Sequence, residues 1–116
     1  MIIVNKKGKS YDFTLVHRDT GSLTAIPKVN GEEYIMQPGD TIDMKISRTA
    51  CEEPIVTIVA DQAKQLFISV ENSEKLEVGD YYCDITLNSG SQRDTFIKIP
   101  YSGATPVPNF HVVYGV

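Results

Sequence analysis

Period-two alternation of apolar and polar side chains is the sequence feature that most constrains the fold. In residues 41–47, Ile42, Met44 and Ile46 share one side, while polar residues occupy the other. Residues 81–87 alternate in the same way. Because successive side chains of a β-strand point to opposite faces, each segment predicts a strand with one buried face, as in antiparallel sheets.

Turn-forming residues divide the chain at short, regular intervals. They are Lys7-Gly8-Lys9, Asp19-Thr20-Gly21, Asn30-Gly31, Pro38-Gly39-Asp40, Glu53-Pro54, Val78-Gly79-Asp80 and Asn88-Ser89-Gly90. Two β-branched runs between these turns, residues 55–59 and 66–70, add two more predicted strands. We therefore predict an all-β fold, an immunoglobulin-like antiparallel β-sandwich of about eight to ten short strands, with residues 1–116 as a single domain.

Several connections can be predicted from local sequence. Asn and Gly both tolerate positive φ, so Asn30-Gly31 predicts a tight hairpin. Residues 88–90 link the strand that contains residues 81–87 to the next predicted strand. Residues 71–76 predict a short helical turn, and residues 61–64 fit either one helical turn or a loop.

Two predicted strands lack a single apolar face. In residues 95–99, Ile97 and Ile99 share a face with Thr95, whereas Phe96 points the other way. Residues 110–116 are apolar on both faces, which is typical of a strand that is covered on both sides. We predict that this segment is the last strand of the same sandwich, and the alternative is a strand that adds to the sheet of a partner.

Tyr81 stands two residues before Cys83, at the start of an alternating strand. In antibody-type domains this spacing marks a tyrosine corner, in which the hydroxyl bonds to nearby backbone. We predict such a corner, with Cys83 filling core space. If the alternation of residues 41–47 is continued, Arg48 points inward and Cys51 points outward or lies in the following loop. We therefore expect Cys51 and Cys83 to remain unbridged.

The sequence contains no motif for catalysis or metal binding. It lacks the HExxH, CxxC, EF-hand, GxSxG and phosphate-loop patterns, and neither histidine lies near a cysteine along the chain. His17, Asp19 and His111 are a candidate metal set, but we expect His17 and His111 to be half-exposed strand histidines instead. We predict no catalytic, cofactor-binding or metal-ligating residue, and no cofactor.

The composition restricts the classes of partner. The net charge is −4, and the one basic cluster, Lys6, Lys7 and Lys9, is interpreted as a solvated turn. This argues against nonspecific nucleic-acid binding, which needs clustered Lys and Arg for phosphate contacts. No apolar run approaches the roughly 20 residues of a membrane span, and Met1–Val4 is shorter than a signal-peptide core of about 7–15 residues. We expect synthesis in the cytoplasm without a signal peptide, and no membrane partner.

One part of the chain resembles a known family. Residues 76–85 fit the frame L-x-x-G-x-Y-x-x-D-I, and Gly39-Asp40-Thr41 opens an earlier predicted strand. These features are similar to small phage and prophage structural domains of Gram-positive bacteria, above all the N-terminal immunoglobulin-like domain of the phage baseplate upper protein family. That family often has an aromatic residue where this chain has Cys83. The resemblance covers roughly residues 34–99, implies a binding or assembly role without catalysis, and supplies no functional residues.

Two hypotheses for the function follow. The first is a non-enzymatic structural or protein-binding module, a phage or prophage virion component of the baseplate, tail or head, whose partners are copies of itself or other virion proteins. The alternative is a carbohydrate-binding or adhesin-like surface module, which would need exposed aromatic side chains on one face. Tyr11, Tyr34 and Tyr82 are candidates for a protein or glycan contact, although core packing is the expected role of most tyrosines.

Overall fold

The computed structural model describes residues 1–115, and strands account for 53% of the chain. The strands are β1 (Ile2–Lys7), β2 (Ser10–Val16), β3 (Gly21–Thr24), β4 (Lys28–Val29), β5 (Glu32–Glu33), β6 (Thr41–Ser47), β7 (Val56–Val59), β8 (Gln65–Ile68), β9 (Gly79–Ser89), β10 (Gln92–Ile97), β11 (Tyr101–Ser102), β12 (Thr105–Pro106) and β13 (Phe110–Val113). The helix in the described part of the chain is α1 (Val70–Glu74). The predicted all-β class is confirmed.

Seven strands form one sheet in the order β1-β2-β13-β9-β6-β7, with β10 also paired to β9. The pairs β3–β8, β4–β5 and β11–β12 are separate two-stranded ribbons. The large sheet is mixed rather than wholly antiparallel, because β13 runs parallel to β2 and antiparallel to β9. The chain between β2 and β13 is long enough for the crossover that a parallel pair requires. The prediction of an antiparallel architecture is therefore wrong at this one pair, and the immunoglobulin-like topology remains a prediction.

The hydrophobic core joins one face of the large sheet to the β3–β8 ribbon. The predicted inward side chains of β6 and β9 are all buried, which confirms the two alternation patterns. Leu66 and Ile68 of β8 and Leu76 after α1 complete the same cluster from the other side. Burial of apolar area at roughly 25 cal/mol per Å² makes this cluster the main stabilising element of the fold.

The predicted connections agree with the structure. The Asn30-Gly31 hairpin joins β4 and β5, and both residues have positive φ, 53° and 82°. Residues 70–74 form the expected short helix, which the Ser69 side chain caps by accepting a hydrogen bond from the Asn72 N–H. Residues 61–64 form a turn, not a helix. The second predicted hairpin is also present, but its strands extend to Ser89 and resume at Gln92.

A β-bulge explains the mixed pattern of residues 95–99. Thr95 pairs with Thr86, and Ile97 pairs with Ile85. Between these two pairs, β10 advances by two residues while β9 advances by one. The extra residue is Phe96. A bulge breaks the alternation of side chains, so Phe96 and Ile97 line the same cavity, which no strict period-two pattern predicts.

The tyrosine corner is present as predicted. The Tyr81 side chain is fully buried, and its hydroxyl donates a hydrogen bond of 2.8 Å to the backbone carbonyl of Glu77. The same hydroxyl accepts a hydrogen bond from Arg48 Nη1 at 2.8 Å, and the guanidinium lies 5.2 Å from the ring centroid. Arg48 therefore points toward Tyr81, as the parity predicted, although much of its side chain is exposed. These contacts fix the chain where it enters β9.

Asn109 completes the hydrogen bonding along one edge of β9, at a gap between two partner strands that we call the seam. On this edge, β13 pairs with the segment up to Tyr81 and β10 pairs from Ile85 onward, so the backbone between them faces neither strand. The buried Asn109 side chain fills the gap. Its Oδ1 accepts from the Cys83 N–H at 2.7 Å, and its Nδ2 donates to the Cys83 carbonyl at 2.8 Å. The amide thus supplies the donor and the acceptor that a neighbouring strand would supply.

We predict that Asn109→Ala destabilises the protein by about 2–6 kcal/mol, since it leaves two buried backbone groups of Cys83 unsatisfied at roughly 1–3 kcal/mol each. The matched control is Asn88→Ala, which removes side-chain hydrogen bonds to Thr41 and Asp43 at a half-buried site. We expect the control to cost about 1 kcal/mol or less. Urea denaturation measures both, and equal losses would contradict the role assigned to the Asn109 amide.

Candidate functional site

The free edge of β1 is an exposed and partly apolar part of the sheet. Among the strands of residues 1–115, β1 pairs with β2 alone, so one row of its backbone groups is open to another strand. Ile3 and Val4 lie on opposite faces of β1 and are 50% and 44% exposed. The start of the strand is covered by Gly21, where a Cβ would come within 2.7 Å of the Ile2 side chain. The open part of the edge is therefore residues 3–7.

An apolar cavity of about 250 Å³ opens beside this edge. It lies where the β1–β2 hairpin and β10 diverge, under the segment that follows β3. Its lining residues are Val4, Tyr11, Phe13, Leu23, Thr24, Ala25, Ile26, Lys28, Ile85, Phe96 and Ile97. Phe13, Ala25 and Ile85 are buried core residues, whereas Val4 and Ile26 are exposed at the mouth. The cavity is thus an opening into the hydrophobic core.

Two lysines flank the cavity. The ammonium group of Lys6 lies 5.7 Å from the centroid of the Tyr11 ring, a cation–π contact at the cavity wall. Lys28 is one of the residues that line the cavity. Glu33 faces Lys28 across the β4–β5 ladder, but its carboxylate pairs with Lys64 at 2.9 Å. Within residues 1–115, neither flanking lysine takes part in an ion pair.

His111 forms a second site, which is polar and lies on the outer face of the large sheet. Nδ1 lies 2.7 Å from Asp80 Oδ1 on β9, and Nε2 lies 2.8 Å from Asp12 Oδ1 on β2. A neutral imidazole has one N–H, so two carboxylate partners require the doubly protonated ring. Burial lowers the pKa of His111, but the hydrogen bonds and charges of Asp80 and Asp12 outweigh it and raise the pKa above 6.5. The imidazolium therefore ties β13 to both neighbouring strands.

The structure does not bring the candidate metal set together. His111 uses both ring nitrogens for carboxylates, and Asp19 lies 4.0 Å from the Met1 amino group. His17 instead lines a wide groove of about 770 Å³ together with Arg18 and Glu74, charges of opposite sign. Residues 1–115 contain no group of three or more His, Cys, Asp or Glu side chains arranged to hold a metal ion.

The cysteines and tyrosines occupy the places that the sequence favoured. Cys51 is exposed, and Cys83 is buried, where desolvation and then the charge of Asp84 raise the pKa of its thiol far above the usual range. Tyr11, Tyr34 and Tyr82 are half-buried and form no exposed aromatic face. Exposed aromatic rings come instead from β8, β11 and the segment after β13, and none of them lines the apolar cavity.

The signal that sequence reasoning missed is the run Ile2-Ile3-Val4 followed by Lys6, Lys7 and Lys9. Taken separately, these residues predict a short apolar start and a solvated turn. The lysines are indeed exposed, but Lys6 and Lys7 belong to β1. An apolar run next to lysines on one short strand is the pattern of a partly protected sheet edge.

Comparisons with known proteins give no match to this chain among family models, curated proteins or solved structures. In the described residues, no helix has the length and apolar character needed to cross a membrane. The site must therefore be interpreted from its own geometry.

We predict that His111 makes stability depend on pH. Because its folded-state pKa is raised above the 6.5 of an unperturbed histidine, its contribution is complete below pH 6.5 and is lost as the pH rises through the folded-state pKa. Urea denaturation between about pH 5.5 and 9 should show wild type losing its advantage over His111→Gln. His17→Gln, the other histidine, is the matched control and should leave the pH profile of wild type unchanged. A constant difference between wild type and His111→Gln at every pH would contradict this assignment.

Proposed function

We propose that this protein is a non-enzymatic protein-binding module that takes up an extended segment of another protein along β1, and that it serves as a structural component of a phage or prophage virion. The observation that carries the binding mode is the unpaired β1 edge, with half-exposed Ile3 and Val4 beside an apolar cavity. An open edge gives a partner backbone hydrogen bonds, and an adjacent pocket gives it side-chain specificity.

Two features support protein binding over catalysis. Cys83 is buried and its thiol pKa is raised, so the core cysteine is unsuited to act as a nucleophile. His111 has both nitrogens held by carboxylates, which leaves no lone pair for a general base. The virion assignment rests on the resemblance of residues 34–99 to phage and prophage structural domains. Such a component would be made in the cytoplasm and then built into the particle.

The sequence allowed two partner classes, a second copy or another virion protein, and the charge of β1 favours the second. Pairing two β1 edges would bring Lys6, Lys7 and Lys9 of each copy into one interface. Like charges directly opposite each other in a sheet are destabilising. Edge lysines are a common means of preventing self-pairing while leaving the edge open to a complementary chain.

The proposal is tested by selecting a displayed library of random linear 12-residue peptides on immobilised protein. We expect peptides that enrich on wild type and are lost on Ile3→Glu, which replaces an exposed apolar side chain of the open edge with an acidic one. The matched control is Val59→Glu, which changes a residue that is 58% exposed on β7 at the opposite end of the sheet. Circular dichroism and thermal unfolding establish that both variants are folded.

Enrichment that survives Ile3→Glu but not Val59→Glu would overturn the choice of β1. No enriched peptide, together with saturable binding to a glycan array, would favour the carbohydrate-binding alternative. Light scattering after size exclusion, with and without reductant, completes the test. We expect a monomer at micromolar concentration, because the lysines oppose β1 self-pairing.

A further inference from the structure

We propose that the segment taken up along β1 is an acidic strand with an apolar anchor, whose anchor side chain enters the cavity and whose acidic side chains meet Lys6 and Lys28. This inference rests on the proposed function and adds the chemistry of the partner. It follows from three properties of the site. They are the register of an added strand relative to the cavity, the volume of the cavity, and the charge of two lysines that have no ion-pair partner among residues 1–115.

The register of an added strand places its side chains at the cavity mouth. A new strand would lie about 4.8 Å from β1, with every second side chain on the face that carries Val4. Val4 and Lys6 share that face, because they are two residues apart on β1 and lie opposite Phe13 and Tyr11 of β2. A strand bound at residues 3–7 therefore directs one side chain toward the apolar lining and its neighbours in register toward Lys6.

The volume of the cavity suits a side chain better than a free small molecule. At about 250 Å³ it is smaller than the roughly 300–1,000 Å³ of pockets that hold drug-sized ligands. Its lining includes the core residues Phe13 and Ile85 and the bulged Phe96, together with Val4 of the edge strand β1. A side chain delivered by a backbone that pairs with β1 would bury apolar area and satisfy the open hydrogen-bonding groups together.

The charge at the mouth selects acidic residues. Three of the eleven basic side chains of the chain lie in its first nine residues, and the first acidic residue is Asp12. Asp12 is held by His111, and Glu33 is held by Lys64. The protein is acidic as a whole, and Lys6 and Lys28 are two lysines at this site without an ion-pair partner among residues 1–115.

The experiment uses the full chain and a synthetic peptide, the acetylated and amidated heptapeptide Thr-Glu-Thr-Leu-Thr-Glu-Thr, in which both Glu side chains share a strand face with Leu, and the matched peptide has Lys in place of each Glu. Fluorescence anisotropy gives the affinity, and amide chemical shifts give the location. We expect the acidic peptide to bind about fivefold to tenfold more tightly at low salt, with the difference shrinking at about 0.5 M salt. Amide shifts should concentrate in residues 2–7 and 23–28.

Two variant pairs separate the anchor from the charges. Ala25→Leu fills the cavity and should weaken binding at least about tenfold, whereas Ala60→Leu, an alanine outside the cavity lining, should change affinity less than about twofold. Ile26→Gln at the exposed mouth repeats the anchor test if Ala25→Leu does not fold. Lys6→Gln with Lys28→Gln should remove the preference for the acidic peptide, and Lys45→Gln on β6 should keep it.

Equal binding of the acidic and basic peptides, amide shifts confined to other strands, or no binding of the acidic peptide would each overturn this inference. The proposed function fails separately. If the displayed library yields peptides that depend on Ile3 but carry no acidic residues, strand addition at β1 stands and the acidic partner does not. If no peptide depends on β1, both fail.

Discussion

The edge of β9 that faces β13 and β10 is the constraint on which the rest of the structure depends. One edge must satisfy its backbone groups with two strands that leave in different directions. Asn109 makes this possible, because its buried amide bonds to Cys83 where neither strand reaches, while its own backbone carbonyl accepts from Phe13 on β2. A buried amide without these partners would cost several kcal/mol. The Asn109 side chain therefore depends on the backbone groups of Cys83, and those groups depend on the Asn109 side chain.

The divergence at this seam also creates the candidate binding site. Since β13 ends its pairing with β9 at Tyr81, the β1–β2 hairpin and β10 separate beyond that point and the core is open between them. The bulge at Phe96 places an additional ring in the opening. A cavity lined by core residues is therefore a consequence of how the sheet divides, and Val4 of β1 forms part of its lining. His111 holds the side of the seam where the strands stay together.

Local sequence was sufficient to predict the strands that bury one face. Alternation located β6 and β9, Asn30-Gly31 located a hairpin, and the spacing of Tyr81 and Cys83 located the corner, because each depends on residues close together in the chain. Contacts between distant residues could not be predicted. Asp12 and His111 are 99 residues apart, and Asn109 and Cys83 are 26 apart. Only the parallel insertion of β13 between β2 and β9 brings them together, and no periodicity encodes that topology.

The lysines of β1 connect the architecture to the function. A six-residue strand with an open edge and a neighbouring apolar cavity would be an aggregation site if its side chains were all apolar. We propose that Lys6 and Lys7 disfavour the pairing of two such edges, because pairing would bring like charges together without an acidic partner. The same charges do not oppose an acidic strand, for which they add attraction to backbone hydrogen bonding. In this proposal, the same lysines of β1 both disfavour self-association and favour an acidic partner chain. This is what an assembly component needs if it must stay dispersed until it meets its partner.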